Sequence, residues 1–276
     1  HFFDAALEQA VARRVQLERE LDEALAQGHL ALHYQPQVAP GGQVVGAEAL
    51  VRWRHPVRGM IPPDQFIPLC ESTGLIRDLG RLVFATAARQ VARWSQAGFD
   101  LAVSVNVSPR EFSQEGLVEG MRVAMAESGC NPARLQVEIT ESALMDDPPE
   151  VVRHLEALKA LGIGIAVDDF GTGYSSLAYL RRFPFDTLKI DRAFVNEVLL
   201  RKDARAIVQM IAQLAATLGM RTVCEGVESA QQLAVVAKAG CHEVQGYLVS
   251  PPKPLAEMVR FASGWQPEAP EMNTLH

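Results

Sequence analysis

From residue 5 to residue 27, apolar positions recur at helical spacing, with Leu17, Leu21 and Leu25 four apart in a stretch rich in Ala, Glu, Arg and Leu. This predicts an amphipathic helix stopped at Gly28. It either packs on the rest of the domain or connects to an upstream one. Beyond Gly28, apolar runs of strand length alternate with stretches of helical periodicity. The runs that read as strands are Ala31–Val38, Val44–Val51, Leu101–Val107, Leu135–Thr140, Gly164–Asp168, Thr187–Asp191, Arg221–Glu225 and Cys241–Gln245. Helical patterns lie at Arg77–Gln96, Gln114–Ser128, Glu150–Leu161, Ala204–Leu218, Gln231–Ala239 and Leu255–Phe261. Strand followed by helix, repeated over eight strands, predicts an α/β fold: a modified (β/α)8, TIM-like barrel. The first two strands depart from the pattern, because Ala39-Pro40-Gly41-Gly42 is too short for a crossover helix and predicts an antiparallel hairpin. A doubly wound open sheet is the alternative.

Two strands carry an alternation that bears on function. Val103, Val105 and Val107 oppose Ser104, Asn106 and Ser108, and Leu135, Val137 and Ile139 oppose Gln136, Glu138 and Thr140. An antiparallel sheet with one wet face would show the same pattern, but intervening helices must cover the apolar face, which leaves the polar face inside the barrel. Each candidate strand carries a polar group toward its C-terminal end: Gln35, Glu48, Asn106, Glu138, Asp168, Lys189, Glu225 and Gln245. Barrel enzymes place their chemistry at that face.

Composition narrows the picture. The 276 residues are 48% hydrophobic and 21% charged, as in ordinary globular chains, and the net charge of −7 argues against a duplex nucleic-acid binder relying on a basic surface. No apolar run approaches the roughly 18 residues of a membrane span. Cys70, Cys130, Cys224 and Cys241 form no Cys-x-x-Cys pair and suit neither a zinc knuckle nor a disulfide framework, so a reducing cytoplasm is expected. His1 in place of Met leads us to expect a piece of a longer polypeptide, whose membrane attachment upstream is left open.

Four carboxylates and an amide converging in one mouth repel one another unless cations neutralise them, and such hard oxygen ligands suit Mg2+ or Mn2+ rather than zinc. Adjacent Asp168 and Asp169 can place one carboxylate on each of two ions, the arrangement that clamps attacking and leaving oxygens in a phosphoryl displacement. Lys189, one of five lysines, suits a water or a phosphoryl oxygen, or else a structural salt bridge. The turn from Phe170 to Leu177, with Gly171 and Gly173, fits a lid or a phosphate-holding loop but lacks the lysine pattern of a nucleotide P-loop. Trp53, Trp94 and Trp265 read as packing residues, and His55 and His242 as structural histidines.

In order along the chain stand YQP (Tyr34–Pro36), GAEALVRWRH (Gly46–His55), Phe66-Ile67-Pro68 with Glu71, SVNVSP (Ser104–Pro109), EITES (Glu138–Ser142), DDFGTGYSSL (Asp168–Leu177), Lys189-Ile190-Asp191, EGVE (Glu225–Glu228) and Gln245-Gly246-Tyr247. This set closely resembles the EAL domain family of cyclic di-GMP phosphodiesterases, from about Leu30 to Pro254. The resemblance implies a barrel with irregular first strands and Mg2+- or Mn2+-dependent opening of cyclic di-GMP to linear pGpG. It makes Glu48, Asn106, Glu138 and Asp168 ligands of one metal. Asp168 would bridge to a second metal, held also by Asp169, with Glu225 beside it as ligand or base. It assigns Lys189 to positioning the attacking water, Gln35, Arg52 and Gln245 to the substrate, Glu141 to anchoring the glycine loop and Glu228 to supporting the site. Departures are few: Cys224 and Cys70 stand where small residues are usual, and Ser250-Pro251-Pro252 lacks a basic residue. The division expected is a connector helix over 1–28, the catalytic barrel over 29–264 and a tail over 265–276. A homodimer through 183–199 and 204–218 and an upstream sensory or GGDEF-type domain are expected as well. The competing readings are a receptor that binds cyclic di-GMP without cutting it and an enzyme acting on another phosphodiester.

Overall fold

The computed structural model describes residues 2–144, 149–171 and 177–264. Its strands are β1 (Leu30–Val38), β2 (Val44–His55), β3 (Gly59–Ile61), β4 (Ala102–Asn106), β5 (Leu135–Thr140), β6 (Gly164–Phe170), β7 (Thr187–Ile190), β8 (Arg221–Cys224), β9 (Glu243–Val244) and β10 (Lys253–Pro254). Eight of them close into a ring in the order β1-β2-β4-β5-β6-β7-β8-β9, and β1 returns to β9. From β2 to β9 the ring neighbours are parallel, whereas β1 is antiparallel to both β2 and β9. The hairpin expected at residues 39–42 is present: Ala39 N–H donates to Gln43 O and Gly42 N–H to Ala39 O, both at 2.8 Å.

The alternation in the strands is resolved as a barrel requires. Val103, Val105, Leu135, Val137, Ile139, Ile165, Leu188 and Ile190 are buried in one hydrophobic core. Each such side chain contributes roughly 1.5–3 kcal/mol by leaving water. The helices Ile76–Gln96, Leu117–Ser128, Pro149–Ala160, Lys202–Thr217, Ala230–Lys238 and Leu255–Ala262 lie close to the helical stretches expected from periodicity. Their apolar faces belong to the same core. The opposite parity of the strands, polar, is left for the barrel interior.

Several elements differ from the sequence reading. β2 continues to His55 because Trp53, Arg54 and His55 pair with β3, so Glu48 stands in mid-strand rather than near a C-terminal end. A helix over Pro63–Thr73 carries Pro68 in its interior and ends at Gly74, and its two prolines and short apolar spacing hid it. β9 shrinks to two residues. There the chain must pass close to residue 227, and a Cβ on Gly246 would lie 2.2 Å from Val227 O, so only glycine fits.

The N-terminal helix runs Phe2–Gln27 and ends where Gly28 adopts φ +74°. Leu21 and Ala24 are buried, and Glu20 lies 3.0 Å from the Arg58 guanidinium and 3.3 Å from His55 Nε2. This half of the helix is therefore docked on the β2–β3 hairpin. None of the helices among the described residues is long and apolar enough to cross a membrane.

Candidate active site

The barrel interior presents its polar side chains as a connected set. Strand register puts Gln35 opposite Glu48, Asn106 opposite Glu138, and Thr140 opposite Asp168. Lys189 stands at the centre of this set. Its Nζ lies 2.5 Å from Glu138 Oε2, 2.6 Å from Glu225 Oε1, 3.2 Å from Asp168 Oδ1 and 3.8 Å from Glu48 Oε2. Only 1% of its side chain is exposed, so its charge is neutralised by carboxylates rather than by water.

Asp169 joins the cluster through a local irregularity. In a regular strand two successive side chains face opposite ways. The β6–β7 pairing shifts register between Val167 and Phe170, and Asp169 adopts φ +54°, the one positive φ at a non-glycine among the described residues. Aspartate tolerates this conformation better than most side chains. As a result, carboxylate oxygens of Asp168, Asp169 and Glu225 all lie within 4.8 Å of one another.

The electrostatics follow from burial. Glu138 is driven well above the ordinary carboxylate pKa by desolvation and by Glu48 and Asp168, against the pull of Lys189. Desolvation also pushes Glu225 up to about 7 and Asp169 up to about 6, the latter with help from Asp168 and Asp191. Burial works in the same sense on Glu48. Lys189 and hydrogen bonds from Gln245 and Asn106 outweigh it, so Glu48 titrates below its usual range. Desolvation likewise opposes the charge on Lys189, but Glu138, Glu225, Glu48 and Asp168 hold it firmly ionised.

The amides expected around this cluster are there. Asn106 Nδ2 donates to Glu48 Oε1 at 2.6 Å, and Gln245 Nε2 donates to Glu48 Oε2 at 2.5 Å and to Gln35 Oε1 at 3.1 Å. Gln35 Nε2 donates to Ser250 O. Arg52, half-buried on β2, donates to Val51 O and lines a cavity of about 330 Å3 with Leu50, Ile67, Glu71, Asn106 and Pro109. Glu141 Oε2 accepts from Gly171 N–H at 3.1 Å, while its Oε1 is buried without a hydrogen-bond partner. Residues 172–176 of the glycine turn lie outside the described residues, as does Trp265. Glu228 is exposed and tied down through its main chain, Glu228 N–H donating to Gln232 Oε1; among the described residues no bond joins its carboxylate to the cluster.

Three features escaped sequence reasoning. Gln37 is buried and bonded to Gln245, and its parity with Gln35 in β1 was the available signal. Asp191 caps the helix Arg192–Glu197 and acts on Asp169. Cys224 and Cys241, 17 residues apart, have their sulfurs 3.0 Å from one another across β8 and the turn into β9. All four cysteines are free and buried. Trp53 and Trp94 are core residues; His55 Nδ1 accepts from Val57 and Arg58 N–H, and His242 Nδ1 from Thr222 N–H.

The EAL domain family profile matches residues 18–252 of this chain. The bifunctional diguanylate cyclase/cyclic di-GMP phosphodiesterase MucR of Pseudomonas aeruginosa is 43% identical over 260 residues, which are 94% of this chain and 38% of that protein. The cyclic di-GMP phosphodiesterase NbdA of the same organism is 41% identical over 278 residues, covering 100% of this chain and 36% of that protein. Among solved structures, a MucR phosphodiesterase in complex with cyclic di-GMP superposes with a TM-score of 0.85 at 45% identity, covering 88% of this chain and 99% of that one. The chain thus spans less than two-fifths of the length of these curated relatives.

Proposed function

The chain belongs to the EAL domain family, and from that premise we propose that it is a divalent-metal-dependent phosphodiesterase that hydrolyses cyclic di-GMP to linear pGpG. The observation that carries this reading is the interior cluster, in which five carboxylates (Glu48, Glu138, Asp168, Asp169, Glu225) surround one ammonium, Lys189. Fully ionised, the set has an excess of 5 − 1 = 4 negative charges, which two divalent cations would balance. The donors are hard oxygens, as Mg2+ or Mn2+ prefers, and Glu138 Oε1 is buried without a hydrogen-bond partner. Glu48, Asn106, Glu138 and Asp168 would hold one ion, and Asp168 and Asp169 the other, with Glu225 beside it.

Ions bound there supply Lewis acidity at the phosphate and a water acidic enough to serve as nucleophile. The chain's own residues do the rest. Glu225 is placed to take the proton from the attacking water. Lys189 holds the Glu225 carboxylate in place at 2.6 Å and would position the attacking water. Arg52 offers its guanidinium fork to a phosphate. The cavity beside it, walled by Leu50, Ile67 and Pro109, can receive a flat base. Gln35 and Gln245 line the opposite side, and Glu141 anchors the loop after Asp169 through Gly171 N–H. Glu228 contributes through its main chain alone, its N–H donating to Gln232 Oε1.

The same reading makes residues 1–28 a connector to an upstream sensory or GGDEF-type domain, 29–264 the catalytic barrel and 265–276 a tail, in a cytoplasmic protein. It also includes a homodimer. Phe183, Phe185, Val195 and Val198 are buried, so the apolar side chains left outward near the expected surface are Leu199, Leu200 and Met210. The test is incubation with cyclic di-GMP and Mg2+ or Mn2+, products being resolved by chromatography. Formation of pGpG, abolished by EDTA, is expected. Binding without cleavage under either metal would refute the enzyme reading and make the domain a receptor.

A further inference from the structure

β1 sends two amides into the barrel. Gln37 follows Gln35 by two residues, shares its face and is 4% exposed. Its Nε2 donates to Gln245 Oε1 at 2.9 Å and gives that buried carbonyl its hydrogen bond. The other end, Nε2, donates to Glu48 Oε2, 2.5 Å away, and to Gln35 Oε1. Gln35 Nε2 is taken by Ser250 O, so Gln35 presents its carbonyl, and together with the Glu48 carboxylate it sets which way the Gln245 amide faces; Gln37 holds that amide from its other end. Gln37 itself stands toward the far end of the barrel. There it lines a polar cavity of about 330 Å3 with Gln136, Thr187, Arg221 and Glu243, and its Oε1 packs where Gly46 has no side chain.

The consequence reaches Glu48. Its Oε2 is drawn toward Gln245 and stays 3.8 Å from Lys189 Nζ, while Glu138 and Glu225 are at 2.5 and 2.6 Å. Without the donor from Gln37, the Gln245 carbonyl is buried unsatisfied, and an amide held from one end only is free to turn away from Glu48. Glu48 then closes onto the Lys189 ammonium and leaves the place from which it would hold an ion. We propose that Gln37 is a positioning residue of the metal site, acting through Gln245 to keep Glu48 off Lys189. This rests on the metal-dependent phosphodiesterase reading above, and Gln37 itself touches neither the cluster nor the substrate.

The test is a double-mutant cycle of Gln37→Met and Gln245→Met in the full 276-residue chain. Mn2+ affinity is read from the paramagnetic resonance signal of the free ion, with no substrate present. Gln37→Met keeps length and loses the donor, and Gln37→Leu serves in its place if the first does not fold; thermal melting confirms the fold of either. Losing one buried hydrogen bond corresponds to roughly a three- to tenfold weaker Mn2+ dissociation constant. The KM for cyclic di-GMP at saturating Mn2+ should stay within about twofold. In the Gln245→Met background, Gln37→Met should weaken Mn2+ binding no further. Unchanged affinity in folded Gln37→Met, or an equal loss in both backgrounds, would overturn the proposal. Absence of pGpG with the parent protein would instead refute the phosphodiesterase reading, and the resonance titration would still report on Gln37.

Discussion

Replacing Lys189 by Met isolates what a single buried cation does for this barrel. The side chain keeps its volume, and four carboxylates lose a partner at 2.5, 2.6, 3.2 and 3.8 Å. Breaking a buried ionic contact from one side typically costs about 3–5 kcal/mol, because the charges left behind have neither water nor partner. For a domain of this size, about 2 °C of melting temperature per kcal/mol makes the expected fall roughly 6–10 °C in EDTA. The sign of the pH dependence is set by the carboxylates. Burial already raises Glu138 and Glu225, and losing the ammonium raises them further. A carboxyl raised in the fold stays protonated there while the unfolded chain ionises above about pH 4.5, so stability falls as pH rises. The gap between Lys189→Met and the parent should therefore be small at pH 5 and widest at pH 8. Divalent ions compete with the ammonium for the same oxygens, so the variant should gain more from millimolar Mg2+ than the parent. A ligand at a hundred times its dissociation constant contributes about 2.7 kcal/mol. Scanning fluorimetry at pH 5 and pH 8, with EDTA or Mg2+, checks all of this. Equal melting points in EDTA at pH 8, or equal metal shifts in the two proteins, would refute the account of Lys189 as the cluster's internal counter-ion.

Glu225→Gln should lower kcat by ~10²–10⁴ and leave the calorimetric Kd for cyclic di-GMP in Ca2+ within about tenfold, since an amide accepts no proton from water; near-parental cleavage would remove Glu225 as the base. Glu141→Ala deletes the bond to Gly171 N–H and should reduce turnover on the order of tenfold with the melting point little changed, as a product assay and a thermal melt would show. Burial pushes Glu111 up to about 8, in a space open only because residue 80 is glycine, where a Cβ would lie 1.8 Å from the carboxylate. Its raised pKa costs nothing below the unfolded value near 4.5 and progressively more as pH rises toward 8. Glu111→Gln should thus stabilise by about 3 kcal/mol at pH 7 and hardly at all at pH 4.5, and urea unfolding giving the same difference at both values would contradict this.

Much of the scaffold was legible because it depends on local patterns. The period-two alternation in β4 and β5 sorts side chains into helix-facing and interior sets, whatever the rest of the chain does. A four-residue turn cannot carry a crossover, so residues 39–42 dictated an antiparallel first pair, and the ordered motifs pointed to the right family and to most of the cluster. The extent of β2 was misjudged, because its last residues become strand only by pairing with β3. The helix Pro63–Thr73 was missed because its prolines mask a helix that tertiary packing supports, with Phe66 and Cys70 wholly buried.

What the sequence determined by itself is which residue types line the barrel and on which strands they stand. Tertiary structure alone decided how those residues meet. The bulge that turns Asp169 beside Asp168, the Lys189 ammonium among the carboxylates, the Gln37–Gln245–Glu48 chain and the 3.0 Å approach of Cys224 to Cys241 are all unreadable along one chain. The reason is physical. Periodicity is set by the backbone of one element, whereas contact across the barrel depends on register between strands far apart in sequence. Here that register places residue 37 against residue 245, and residue 48 against residues 106 and 245.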